Sequence, residues 1–115
     1  MPERDLVIIE RILNYCREID TTLAFFGHSA DTFRENCIFR NSVALCLLQI
    51  GELAGKLTPE FTAAHPEQPW RKMRGMRNLV AHDYGGVDLE TVWNTATVSI
   101  PPLERTCEEI LTQQA

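Results

Sequence analysis

The chain has 115 residues, a formal net charge of −5 at pH 7 and a hydrophobic fraction of 44%. This length predicts one domain, residues 1–115, that buries a core without metal or disulfide bonds, and the composition excludes the intrinsically disordered class. The acidic charge excludes wholesale coating of nucleic acid, but it leaves open a local basic groove that binds phosphate.

The first predicted helix runs from Asp5 to Leu23, where apolar residues recur at intervals of three and four. The residues before it carry charges of both signs, which is not the pattern of a secretory signal. No apolar run in the chain approaches the roughly 20 residues that a membrane-spanning helix needs. A turn is expected at residues 27–30, and Asp31 is the predicted N-cap of a second helix.

The segment from Asn36 to Leu57 is the most apolar in the chain, and its apolar residues cover more than one face. Such a segment predicts either the central core helix or a helix covered on a second side by a partner. Gly51 and Gly55 are four residues apart, so another helix can approach closely along their edge. The helix is expected to end at Thr58-Pro59, because the residue before proline resists the helical conformation.

The cysteines contain no C-x-x-C pair, and each lies among apolar neighbours in a helical context. This pattern favours reduced thiols in the core of a cytoplasmic protein over a metal site or a disulfide framework. His28 and His65 are expected to be exposed loop histidines, since neither has a partner at metal-ligand spacing. The four cysteines are Cys16, Cys37, Cys46 and Cys107.

The pattern of the second half of the chain also predicts helices. Pro69 is well placed at the start of a helix, which Gly85-Gly86 would end, and Asp88 is the predicted N-cap of the next. Pro101-Pro102 should break or kink that helix, leaving a last helical piece from Leu103 to Leu111. Trp70 and Trp93 are expected in the core or at an interface. The predicted fold is all-α, an antiparallel bundle of four or five helices.

Residues 70–84 gather four of the eleven basic residues, one of the three histidines and a tyrosine. On a straight helix, residues five apart lie about 140° round and about 7.5 Å along the axis, so Arg77 and His82 do not share a face. A long guanidinium can still reach across that gap, and both groups can then address one phosphate. Asn78 does share the face of His82 and can hold the imidazole or bind the same phosphate.

These groups suit the cleavage of RNA. A guanidinium binds two non-bridging phosphate oxygens, and an imidazole with a pKa near 6.5 exchanges protons with the 2′-hydroxyl and the leaving 5′-oxygen. One chain offers one such histidine, so a two-fold dimer would supply both an acid and a base. The same residues are also consistent with roles that involve no catalysis. A histidine near a helix C-terminus is favoured by the helix dipole, Tyr84 can pack or cap, and Arg71, Lys72 and Arg74 can form a solvated face.

The segment from Arg77 to Tyr84 resembles the R-x4-H-x-Y motif of the HepT-like ribonuclease toxins, which are part of the HEPN superfamily. The polar residue after the arginine, Asn78, also fits the family pattern. The resemblance covers nearly the whole chain. The other similar stretches are Gln49-Ile50-Gly51-Glu52, Pro69-Trp70, Arg74-Gly75-Met76, Val87-Asp88, Val92-Trp93 and Ile100-Pro101-Pro102-Leu103.

The resemblance implies an all-α homodimer whose motif lies in a cleft between subunits and which cleaves RNA without a required metal or other cofactor. It implies a toxin encoded beside a nucleotidyltransferase antitoxin, which in some members transfers AMP to the motif tyrosine. Carried over, Arg77 and His82 would be catalytic, Asn78 would support them and Tyr84 would accept AMP. The basic residues Arg71, Lys72 and Arg74 are expected to bind RNA. The alternative is a non-catalytic HEPN-type module that binds nucleotide or RNA, or that docks the transferase.

Overall fold

The structure is a computed structural model that describes residues 3–81 and 89–113. Within those ranges the chain forms helices, turns and bends and no strand, which confirms the all-α prediction. Its elements are α1 (Glu3–Phe25), α2 (Ala30–Glu35), α3 (Cys37–Ala54), α4 (Pro59–Ala64), α5 (Trp70–Ala81), α6 (Leu89–Asn94), a π-helical segment (Thr95–Ser99) and α7 (Ile100–Gln113).

α1 forms one wall of the core, because its apolar residues at intervals of three and four turn toward α3 and α7. Ile9, Ile12, Cys16 and Ile19 have no exposed surface. Burial of an aliphatic side chain of this size contributes roughly 1.5–3 kcal/mol. The predicted amphipathic helix is therefore confirmed, and it extends to Phe25.

One polar residue of α1 lies inside the core. Asp5 is fully buried, and its carboxylate accepts hydrogen bonds from the backbone N–H of Thr58 at 3.0 Å and from the Thr58 hydroxyl at 2.8 Å. The Thr58 oxygen in turn accepts from the backbone N–H of Phe61 and caps α4. A buried carboxylate needs such donors, so this contact fixes where the chain leaves α3 and enters α4.

α3 is the central core helix. It packs against both α1 and α5, and half of its 18 residues are buried. By length and composition alone it could also cross a membrane, but a core helix that is covered on several sides has the same composition. It ends at Ala54 rather than at Thr58-Pro59, because the N–H groups of Lys56 and Leu57 bond three residues back and tighten the last turn.

The N-cap of α2 is Ser29, so the prediction of Asp31 was wrong. The Ser29 hydroxyl accepts from the backbone N–H of Thr32 at 3.1 Å, and the helix begins at Ala30. Asp31 lies in the first turn, where its carboxylate pairs with Arg34 at 2.6 Å. Both residue types cap helices well, and the position of the preceding turn decides between them.

Pro101-Pro102 does not break the last helix, so of the expected break or kink the break was wrong. The chain stays helical from Leu89 to Gln113, and the residues before the prolines take the wider π-helical turn, in which the N–H of Ile100 bonds to the carbonyl of Thr95. Proline has no N–H to donate to the preceding turn. Hydrogen bonds that reach five residues back instead of four therefore accommodate two consecutive prolines at the start of α7.

Three of the four cysteines are buried thiols, as predicted, but Cys37 is exposed at the first turn of α3. Burial raises the pKa of Cys46 to about 11 and that of Cys107 to about 12, and it raises the pKa of Cys16 further. These thiols stay protonated at neutral pH, which makes them poor nucleophiles and metal ligands.

His28 is exposed in the turn before α2, as expected, but His65 is not an exposed loop histidine. Only 12% of the His65 side chain is exposed, because its ring packs on Phe61 at 4.7 Å between centroids. Trp70 donates its indole N–H to the His65 carbonyl at 2.9 Å. Trp70 is buried, as predicted, and Trp93 is partly buried against Phe33.

Candidate active site

The motif helix α5 begins directly after Pro69, whose carbonyl accepts hydrogen bonds from the N–H groups of Lys72 and Met73. Trp70, Met73 and Met76, at intervals of three, are all at least 95% buried. This apolar line anchors α5 against α3, and the basic side chains are left on the remaining surface of the helix.

Gly51 sets the distance between α3 and α5. A Cβ atom at this position would lie 2.5 Å from the backbone nitrogen of Arg77, closer than real Cβ contacts come. The close approach predicted from the glycine pair is therefore confirmed at Gly51. Gly55 does not share this role, because a Cβ there would meet only ordinary van der Waals contacts. The backbone of Arg77 is thus pressed directly onto α3.

A cleft of about 290 Å³ opens beside this contact. Among the residues that the structure describes, three cations and one carboxylate line it, and their formal charges sum to a positive value although the whole chain carries −5. Lys56 enters from the turn after α3, while the motif side chains enter from α5. The lining residues are Gly51, Glu52, Gly55, Lys56, Arg74, Arg77 and Asn78.

Arg77 is held at the edge of the cleft by an ion pair. Its Nε contacts Oε1 of Glu52, which follows Gly51 on α3. The Arg77 side chain is 53% exposed and the Glu52 side chain 42% exposed, so neither lies in the hydrophobic interior. A guanidinium bound through Nε keeps its two terminal nitrogens as donors, and these two nitrogens can together form a bidentate contact with phosphate.

The structure places the other predicted site residues as follows. Asn78 and Arg74 are exposed and line the cleft with Arg77. Arg71 and Lys72 are exposed but do not line it, and Lys72 borders separate hollows near the π-helical segment. Of the predicted side chains that the structure describes, the cleft therefore gathers three. His82 and Tyr84, like the predicted helix stop at Gly85-Gly86 and the N-cap at Asp88, lie outside the described residues.

Two residues of the cleft were not singled out as site residues from the sequence, namely Glu52 and Lys56. The glycine pair is a partial signal toward them, because it predicts the side on which another helix comes close, and the next residue lies about 100° round the helix, at the margin of that side. Glu52 follows Gly51, and Lys56 follows Gly55. Periodicity placed both on α3 or its end, but it did not say which residue of α5 would meet them.

A larger hollow, of about 470 Å³, lies between α1 and α7, away from the motif helix. Its charged lining residues are Glu10, Glu108 and Arg17, and Arg17 pairs with Glu108 at 3.3 Å. Two carboxylates and one arginine give this hollow a negative formal charge, which repels phosphate. Of the two hollows, the cleft between α3 and α5 is the one with charges that suit a nucleic acid.

Within residues 3–81 and 89–113 no three His, Cys, Asp or Glu side chains are grouped so that they could hold a metal ion. The Glu52 carboxylate faces Arg77 in the cleft, and the three buried cysteines lie in the core. The chemistry available to the described part of the cleft is therefore that of guanidinium, ammonium, amide and carboxylate groups.

Comparison with known proteins gives consistent results. Residues 7–110 match the family model described as "Ribonuclease HepT-like". The chain is 32% identical over 112 residues to "Putative RNase MJ0125" of Methanocaldococcus jannaschii, covering 96% of this chain and 95% of that protein. It is 31% identical over 106 residues to "Putative RNase TTE0752" of Caldanaerobacter subterraneus subsp. tengcongensis, covering 92% and 93%.

A shorter match, 39% identical over 61 residues, is to "Probable ribonuclease HepT" of Thermococcus cleftensis, and it covers 53% of this chain and 56% of that protein. No solved structure matches the chain significantly. The matches to the first two relatives run over nearly the full length of both chains, so the similarity includes α1, α3 and α7 as well as the motif helix.

Proposed function

This chain belongs to the HepT-like ribonuclease family, and we propose that it is an RNA endonuclease that acts as the toxin of a toxin–antitoxin pair. The observation that carries the proposal is the cleft between α3 and α5. An acidic protein gathers Lys56, Arg74 and Arg77 around one opening and leaves more than half of the Arg77 side chain exposed there. Such a local reversal of charge suits a polyanionic substrate.

The proposed reaction needs no metal ion. His82, five residues after Arg77, takes the proton of a ribose 2′-hydroxyl, and the oxygen attacks the adjacent phosphorus. The bond to the 5′-oxygen breaks, a protonated histidine returns a proton to that oxygen, and the products are a 2′,3′-cyclic phosphate and a 5′-hydroxyl. Arg77 binds the non-bridging oxygens, where negative charge grows, and Asn78 supports it.

We include a homodimer in the proposal, because one chain supplies one His82 and the reaction uses a base and an acid. An exposed apolar face of α3 gives this dimer a place to form. Ile38 is 67% exposed and Leu45 is 55% exposed. Glu52 lies seven residues beyond Leu45, as Leu45 lies seven beyond Ile38, so the three residues follow one line of the helix. This line leads from the apolar face to the cleft.

The proposed antitoxin is a nucleotidyltransferase that transfers AMP to Tyr84. The phenol oxygen attacks the α-phosphate of ATP, a P–O bond forms, pyrophosphate leaves, and the phenol proton is released. The attached AMP places negative charge two residues from His82. Repulsion of the RNA phosphates and direct obstruction would then block the site.

The test of the catalytic assignment compares the parent chain with Arg77→Ala and His82→Ala. Purified protein should cleave RNA, and the cleaved ends should be 2′,3′-cyclic phosphates. Loss of the general base or acid should lower the rate by about 10²–10⁴-fold, and loss of the arginine by about 10²–10³-fold. Arg105→Ala, which removes an exposed arginine of α7, is the matched control and should cleave as the parent does. Equal cleavage by all four proteins would contradict the assignment.

The test of Tyr84 is the intact mass after co-expression with the transferase. The parent should gain whole AMP units, and Tyr84→Phe should gain none. An unmodified parent, or a modified Tyr84→Phe variant, would contradict this assignment. If no variant ever cleaved RNA but the chain bound it, the non-catalytic module considered above would be the better description.

A further inference from the structure

We propose that Glu52 is a positioning residue for Arg77, that is, a group that orients the guanidinium for phosphate without touching substrate itself. The inference rests on the proposed function, since it concerns the same cleft. The contact between Arg77 Nε and Glu52 Oε1 carries it, together with the packing of Gly51 on the Arg77 backbone.

The geometry restricts how Arg77 can bind a phosphate. Gly51 fixes the Arg77 backbone against α3. Glu52, which is the next residue on α3, holds the guanidinium through its Nε atom. Of the five N–H donors of arginine, the four on the two terminal nitrogens remain. The phosphate must then be bound end-on, by both terminal nitrogens, on the side of the cleft.

The cleft keeps a positive charge with this carboxylate in place. Glu52 offsets one cation, and Lys56 and Arg74 remain to attract the RNA backbone. Arg74 lies three residues before Arg77 on the same helix, so the two guanidinium groups border one opening. In this arrangement Lys56 and Arg74 attract the RNA backbone, and Arg77 makes the oriented contact with the reacting phosphate.

A rival reading makes Glu52 an inhibitory clamp that competes with RNA for Arg77. The two readings predict opposite changes in rate. A clamp, when removed, would raise kcat or leave it unchanged. A positioning residue, when removed, would lower kcat even though the loss of a negative charge from the cleft makes RNA binding no weaker.

A purely structural role would show itself as unfolding. Both partners are about half exposed, and ion pairs in such positions add little to stability because water and salt screen them. Substitution of Glu52 should therefore leave the fold intact, so that a change in rate can be assigned to the orientation of Arg77.

The experiment measures kcat and KM for cleavage of a short RNA by the parent, Glu52→Ala and Glu52→Gln. Glu52→Ala should lower kcat by about 10- to 100-fold, the range seen when the partner that orients a metal ligand is removed, with KM equal to or below that of the parent. Glu52→Gln keeps an oxygen that accepts from Nε, so it should recover a large part of the lost kcat. Glu109→Ala, which removes an exposed carboxylate of α7, should match the parent.

A spectroscopic readout follows the orientation without relying on activity. In the parent, the Nε–H group of Arg77 should give a resolved nitrogen–proton NMR signal at neutral pH, because a bound N–H exchanges slowly with water. The signal should be assigned by its absence in Arg77→Ala. In Glu52→Ala it should shift to the position of free arginines or be lost through exchange, and in Glu52→Gln it should remain resolved.

Two outcomes would overturn the inference, and both differ from failure of the proposed function. The first is an unchanged or raised kcat in folded Glu52→Ala while Arg77→Ala stays inactive. The second is an Arg77 Nε–H signal that is the same in the parent and in Glu52→Ala. If instead neither the parent nor any variant cleaved RNA, the proposed function would fail, and the NMR comparison would still decide whether Glu52 orients Arg77.

Discussion

At the contact between α1 and α7, folding changes the pKa of one carboxyl group. Glu104 of α7 faces Asp20 of α1, and burial, followed by a hydrogen bond to Asp20 and the charge of Asp20, raises the pKa of Glu104 to about 7. Glu108 acts in the same direction and Arg17 in the opposite one. Neither residue of the pair lines the cleft, so we expect its effect to concern stability.

This pKa predicts the sign of a pH dependence. The ordinary pKa of the carboxyl is 4.5, so between that pH and about 7 the folded chain binds more protons at Glu104 than the unfolded chain does. The stabilisation is fully present below the ordinary pKa and is lost as pH rises through the folded value. Denaturant unfolding at pH 5 and pH 8 should therefore show that Glu104→Gln gains stability relative to the parent at the higher pH.

The control for that measurement is Glu109→Gln, which removes an exposed carboxylate from the same helix. Its free energy of unfolding should follow that of the parent at both pH values. Parallel curves for the parent and Glu104→Gln would show that the shifted carboxyl does not contribute to stability.

At the scale of elements, the contact between α3 and α5 determines the candidate site. Gly51 lets the two helices approach until the Arg77 backbone touches α3, and that distance brings the short Glu52 side chain within reach of the guanidinium. The cleft lies beside this contact, at the C-terminal end of α3. The spacing of the two helices therefore sets the position of Arg77 as much as the motif does.

Two glycines of these helices give a matched prediction. A Cβ at Gly51 would meet the Arg77 backbone at 2.5 Å, whereas a Cβ at Gly75 would meet nothing within 4 Å. Gly51→Ala should lower the free energy of unfolding by about 1–3 kcal/mol through overpacking. Gly75→Ala should raise it by up to about 1 kcal/mol, because alanine favours the helix. Equal effects of the two substitutions in denaturant unfolding would contradict the described contact.

At the scale of the whole molecule, the uneven distribution of apolar surface matters most. The core of the described residues is continuous from α1 through α3 to α5 and α7. Ile38 and Leu45 nevertheless stay exposed on a helix whose other faces are covered. The sequence left two explanations for the apolar excess of this segment, a central helix or one covered also by a partner. α3 is the central helix, and its exposed face is the one we assign to a second copy.

The dimer prediction follows from that face. Leu45→Glu places a charge on it and should convert the protein to monomers in analytical ultracentrifugation, with cleavage of RNA lost in parallel. Val7→Glu is the matched control, because Val7 of α1 is 56% exposed and Leu45 is 55% exposed. The control should leave assembly and cleavage unchanged. A monomeric parent, or a dimeric and active Leu45→Glu variant, would count against the assigned face.

Much of the fold could be predicted from local pattern. Intervals of three and four identified α1 and α5, and a high apolar content identified α3. The motif around Arg77 identified the family, and the glycine pair predicted a close helix contact that is present at Gly51. Several details could not be predicted. Ser29 rather than Asp31 caps α2, Cys37 is exposed, His65 is largely covered, and Pro101-Pro102 follows a π-helical turn instead of a break.

Local pattern was therefore sufficient for the long helices, the family and several residues of the candidate site, because periodicity, turn chemistry and motif spacing act between residues that are near in the chain. Helix packing determines that Glu52 meets Arg77, that Lys56 and Arg74 share their cleft, and that Arg71 and Lys72 do not line it. Which residues meet depends on the distance between α3 and α5 and on the register of one helix along the other. That register comes from the packing of Trp70, Met73 and Met76 and from the close approach at Gly51. The sequence shows these residues, but local pattern does not say which residues of α3 and α5 meet.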